Sequence, residues 1–178
     1  MSSSDFQQDF FSLFSLPARF SIDTAVLEQG YRALQSQFHP DKFSHLSEPE
    51  QRLSMQWSTR INEGYQTLRK PLSRARYLLA LRGVDTQEET NTAMPLDFLM
   101  AQMEWREAIA AARQAKDDAA LDGLAGKLRQ ETRDLEQELG CLLDDRQDYL
   151  AAAGIVRKLK FLEKLAEEIA SAFDELDH

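Results

Sequence analysis

The chain of 178 residues has a single cysteine, Cys141, and three histidines. One thiol excludes an internal disulfide and makes the cytosol the expected compartment. So few Cys and His also argue against a zinc or iron–sulfur site built from this chain alone, so no metal and no cofactor is expected. Only seven Gly and five Pro are present, as suits a mostly helical protein. No stretch is apolar enough to span a bilayer. The opening MSSSDFQQDF lacks the basic and apolar regions of a signal peptide.

Positive charge is scarce in one half only. Residues 1–80 hold 9 Lys+Arg against 8 Asp+Glu, whereas residues 81–178 hold 12 against 22. A half that acidic is a poor candidate for gripping nucleic-acid phosphates. Neither half carries a basic run that reads as a membrane anchor.

What is present is helical periodicity. FQQDFFSLFSL, residues 6–16, forms a short apolar turn of helix ending at Pro17. Asp23 or Thr24 caps a helix bearing Val26, Leu27, Tyr31, Leu34 and Phe38, which stops at His39 because Pro40 disfavours a helical residue before it. After the loop HPDKFSHLS, Ser47 caps the next helix with Glu50 at the capping-box position. Leu53, Trp57, Ile61, Tyr65 and Leu68 read as its buried face. Pro71 opens LSRARYLLALRG, and Gly83 can end it. Residues 84–95 are polar and unpatterned, a linker. Beyond them, a helix from about Pro95 to Ala115, a leucine stripe from Leu121 to Leu142 and a last stripe from Ile155 to Leu176 predict a three-helix bundle. Asp144, Asp145 and Gln147 mark a break between the last two helices, and Cys141 is expected to be a buried small apolar residue.

The stretch FHPDKF, residues 38–43, poses the functional question. His39 and Asp41 as acid and base is one reading, but no Ser, Cys or second His completes a constellation. A second reading takes Phe38 and Phe43 as core, Pro40 as a helix stop and Asp41 as a turn residue. The third takes the apex of a helical hairpin as a preorganised polar contact for a partner.

Context favours the third. DFFSLFSLP, QFHPDKF, INEGYQTLRKP and SRARYLLAL together resemble a J-domain over residues 9–80. The resemblance implies that His39, Pro40 and Asp41 contact a DnaK-type ATPase chaperone and stimulate its ATP hydrolysis. The family also uses basic side chains on the second helix. Here only Arg32 is basic between Leu27 and Phe38, so Lys42, Arg60, Arg69 and Lys70 are expected to share that work.

The Gly/Phe-rich linker and CxxC repeats of general J-proteins are absent. DFLMAQMEWREAI at 97–109, QAKDDAAL at 114–121 and VRKLKFLEKL at 156–165 resemble the HscB family of co-chaperones over residues 9 to about 176. That resemblance implies an all-α, L-shaped protein: a J-domain over 1–83, a linker over 84–95 and a scaffold-binding three-helix bundle over 96–178. It implies two partners, an HscA-like DnaK-type chaperone and an IscU-like iron–sulfur cluster scaffold, and no catalysis by the chain itself. It places the scaffold contact on Leu99, Met100, Met103, Glu104 and Glu107, with Phe161 on the last helix. Leu99, Met103 and Glu107 lie one above another at helical spacing. Phe161, between Lys160 and Leu162, is expected at the edge of the core stripe or facing away from it. The alternatives are a J-domain serving another client and a structural helical adaptor without ATPase-stimulating activity.

Overall fold

A computed structural model describes residues 8–43, 45, 47–87 and 95–176. The chain divides into two units, Met1–Arg82 and Gly83–His178. Among the described residues every regular element is helical. The expected linker lies mostly outside them, over 88–94.

In the first unit, α1 (Phe10–Leu13) starts at Asp9, whose carboxylate accepts the Ser12 N–H at 3.0 Å. Phe10, Phe11, Leu13 and Phe14 are buried on the inner side of α2 (Thr24–Phe38), α3 (Glu48–Arg69) and α4 (Pro71–Leu81). Asp23 caps α2, accepting the Ala25 N–H at 2.9 Å. Glu50 closes the capping box of α3, accepting the Ser47 N–H at 3.0 Å. Pairing is antiparallel: Tyr31 stacks on Tyr65 with ring centres 4.0 Å apart, and Phe38 stacks on Trp57 at 5.4 Å. As positions on α2 rise, their partners on α3 fall.

The buried seam of α3 differs from the expected one. It runs Ser54, Trp57, Ile61, Gly64, Leu68, steps of 3, 4, 3 and 4. Leu53 is 46% exposed and Tyr65 only half-buried. Picking large apolar residues at steps of four drifts around a helix of 3.6 residues per turn. The true seam keeps the period by using two small residues. Gly64 lets α1 approach: a Cβ there would stand 2.9 Å from Phe10 Cδ1. Arg74, also buried, donates from Nε to the Phe20 carbonyl and from Nη1 to that of Leu68, each at 2.7 Å. The Tyr77 hydroxyl accepts the Phe10 N–H at 2.9 Å, satisfying a first-turn donor of α1 that has no partner within the helix.

The second unit packs α5 (Leu96–Ala115), α6 (Asp118–Gly140) and α7 (Tyr149–Leu176). Lys116, left-handed at φ 51°, and Asp117, which caps α6, reverse the chain between α5 and α6 within two residues, so these run antiparallel. Ile109, Leu128, Leu162, Leu165 and Ile169 make the main core, continued by Ala112, Leu121 and Ala172. The break after α6 is a π-helical turn, Cys141–Arg146, ended by left-handed Gln147. Cys141 is exposed on that turn, contrary to expectation, while its neighbours Leu142 and Leu143 are buried.

Candidate functional site

Residues proposed to carry function lie in both units. In the first, α2 ends at Phe38, and His39 is extended at ψ 128°, as the residue before a proline should be. Pro40–Phe43 form a single 3-10 turn, in which the Lys42 N–H donates to the His39 carbonyl at 3.0 Å. The Asp41 N–H donates to His39 Nδ1 at 3.3 Å, which in the neutral ring leaves the proton on Nε2. The Asp41 carboxylate stands 3.5 Å from the same nitrogen. The His39 and Asp41 side chains are nonetheless 56% and 91% exposed. The imidazole is thus oriented by the turn, and both side chains are open to a partner.

The base of this turn is firm. Phe38 rests on Trp57, itself 2% exposed, and the Ser54 hydroxyl donates to the Phe38 carbonyl at 2.9 Å. Phe38 and Phe43 are half-buried rather than full core residues. Lys42 is exposed beside the pair.

Of the other basic candidates, Arg69 and Lys70 are exposed at the end of α3, whereas Arg32 and Arg60 are engaged within the unit. Arg32 is exposed but paired with Glu28 at 2.5 Å, so this stretch of α2 presents little net charge. Arg60 donates to the Gln8 carbonyl and lies over the Phe10 ring at 5.1 Å, holding the N-terminal segment instead. Arg69 lies over Tyr65 at 6.0 Å.

In the second unit, Leu99, Met100 and Met103 are 40%, 55% and 63% exposed on one face of α5, with Glu104 and Glu107 exposed beside them. Leu96, 72% exposed, extends the row by one turn. Sequence reasoning missed it, although 96, 99, 100 and 103 follow the same helical rhythm.

Phe161 does not join this surface. It is 8% exposed and belongs to the core. Phe98 meets its ring edge-on at 5.5 Å, and the Arg106 guanidinium lies 5.9 Å from its centre. The reason is that α7 packs against both α5 and α6. Beside the Ile155–Leu159–Leu162–Leu165–Ile169 stripe visible in the sequence, it also buries Ala152, Val156, Phe161 and Ala172. A helix flanked by two neighbours buries a wider arc than one stripe. Phe161 thus braces α5 from beneath.

Among the described residues, no group of three or more His, Cys, Asp or Glu is arranged to hold a metal ion. Among the same residues, no helix is long and apolar enough to cross a membrane.

Comparison with known proteins agrees across sequence and structure. Residues 94–170 match the family model described as the HSCB C-terminal oligomerisation domain. The chain is 54% identical to the co-chaperone protein HscB homolog of Aromatoleum aromaticum, over 97% of this chain and 98% of that protein. It is 58% identical to that of Chromobacterium violaceum, over 97% of each. Two solved structures superpose closely. Chaperone HscB from Vibrio cholerae gives a TM-score of 0.85 at 38% identity, covering 95% of this chain and 99% of that one. Human co-chaperone protein HscB gives 0.87 at 32% identity, covering 92% and 81%.

Proposed function

We propose a division of labour that starts from one fact: the chain belongs to the HscB family of co-chaperones. Its first unit contacts a DnaK-type, HscA-like chaperone through His39, Pro40 and Asp41, with Lys42 alongside and Arg32 as a secondary contributor. Its second unit holds an IscU-like iron–sulfur scaffold through Leu99, Met100, Met103, Glu104 and Glu107. The chain catalyses no reaction of its own in this scheme; it raises the ATPase rate of its partner and assists maturation of iron–sulfur proteins.

The observation that carries this reading is the exposure of an oriented His39–Asp41 pair on a base that is packed and hydrogen-bonded. A contact already in its bound geometry loses little entropy on docking. Asp41 meets a cationic group on the ATPase, and the complex stimulates hydrolysis because it binds the hydrolysis-competent state better than the resting one. On α5, methionines offer a polarisable, adaptable surface, and the flanking carboxylates select a basic counterpart. Two contacts on one chain raise the local concentration of scaffold at the chaperone.

Single-turnover ATP hydrolysis by the chaperone tests the first half. His39→Gln and Asp41→Asn should each abolish stimulation while leaving the fold intact; full stimulation by either would sink it. Calorimetric titration with the scaffold tests the second half. Leu99→Ala combined with Met103→Ala should weaken binding at least tenfold, as loss of a central apolar contact does. Stimulation without scaffold binding would point to a different client.

A further inference from the structure

We propose that Ser54 is a positioning residue for the His39–Asp41 turn, acting through the Phe38 carbonyl to hold the geometry that the chaperone reads. The inference rests on the chaperone contact proposed above and deepens it.

Ser54 occupies the first position of the α3 seam, where an apolar side chain would be expected, and it is 2% exposed. Its hydroxyl donates to the carbonyl of Phe38, the last residue of α2, at 2.9 Å. That carbonyl has lost its helical partner. Had α2 continued, the Lys42 N–H would bond to it, but in the 3-10 turn that N–H goes to His39 instead. A hydroxyl from the facing helix fills the vacancy.

The choice of atom matters. The Phe38 carbonyl shares a rigid peptide plane with the nitrogen and Cα of His39. Fixing the oxygen fixes the direction in which His39 leaves the helix, and hence where its ring and the Asp41 carboxylate stand. One turn along α3, Trp57 stacks against the Phe38 ring. Backbone and side chain of the same residue are therefore held by two α3 residues three positions apart. Without the hydroxyl the hairpin still closes, through Trp57 and Ile61, but the peptide plane is free to rock. The partner then meets a turn only part of whose population is competent, and apparent affinity falls by that fraction.

The test is Ser54→Ala in the full-length chain, assayed well below its melting temperature. The concentration giving half-maximal stimulation of the chaperone should rise about three- to tenfold, with the maximal rate retained, because saturating partner restores the turn. In the free protein, amide exchange at Asp41 and Lys42 should accelerate several-fold while exchange in α5–α7 is unchanged. Ser54→Thr, which keeps the hydroxyl, should restore both. A purely structural serine would lower the melting temperature and move neither readout; that pattern, with Asp41→Asn still inactive, overturns the inference and leaves the chaperone contact standing. Undiminished stimulation by Asp41→Asn instead overturns the chaperone contact itself. The amide-exchange arm needs no partner, and unchanged exchange in folded Ser54→Ala overturns the inference under either result.

Discussion

Arg74 shows how much one side chain in the first unit carries. It donates to two backbone carbonyls, Phe20 and Leu68, while its guanidinium lies 5.0 Å from the Phe20 ring centre. Arg74→Met would keep volume and lose both hydrogen bonds. We expect a loss of about 2–4 kcal/mol in urea denaturation, the cost of leaving buried carbonyls unpaired. Phe161 invites a similar contrast. Phe161→Ala should cost about 3–5 kcal/mol as a core truncation, whereas Leu99→Ala, at an exposed position, should stay within about 0.5 kcal/mol. Denaturation of the two variants side by side would show which lies in the core. Arg74 and Tyr77 were legible in the sequence as marks of a J-domain, but their jobs were not. Nothing in a linear string says that an arginine will find a carbonyl 54 positions away. Ser54 and Leu53 exchange their expected places for a related reason: size suggested Leu53 for the seam, whereas helix period selected Ser54.

At the scale of elements, caps were the most readable feature, because each is a local hydrogen bond between residues two or three apart. Asp23 and the Ser47–Glu50 box stand where expected. The box also has a pH signature. The Glu50 carboxyl is held below its ordinary value, chiefly by the Ser47 hydroxyl and then by the Ser47 backbone N–H. Its contribution is therefore complete above the unfolded-state value of 4.5 and is lost as pH falls through the lowered folded-state value. Glu50→Gln should lower the melting temperature near neutrality and remove part of its decline as pH falls below 4.5. Gly64 makes a different point about α3. Alanine would favour the helix by about 1 kcal/mol, but its methyl would press on Phe10. We expect Gly64→Ala to destabilise by about 1–3 kcal/mol net, as overpacking does. The π turn at Cys141–Arg146 was visible only as a polar break. Its extra residue answers to how α6 and α7 pack, a constraint that no short window of sequence contains.

For the molecule as a whole, the uneven charge predicts that the two proposed partner contacts respond differently to salt. The bundle unit supplies Glu104 and Glu107 at its apolar row, in a half of the chain where acids outnumber bases 22 to 12. Scaffold association should slow with rising ionic strength, and Glu104→Gln with Glu107→Gln should flatten that dependence while barely changing dissociation. Stopped-flow association rates at several salt concentrations would measure it. Chaperone stimulation should vary less with salt, since the Glu28 carboxylate offsets part of the Arg32 charge on α2. The two-part helical organisation was legible because each half has its own apolar rhythm, whereas the accessible face of α5 emerged fully only with Leu96 included and Phe161 withdrawn. One feature turns this into a practical opportunity. The chain's sole sulfhydryl, on Cys141, points into solvent at the end of the bundle where α6 finishes, and antiparallel α5 begins at that same end with Leu96. A maleimide dye would attach there and nowhere else, so the unaltered protein can carry its own fluorescent reporter on the bundle.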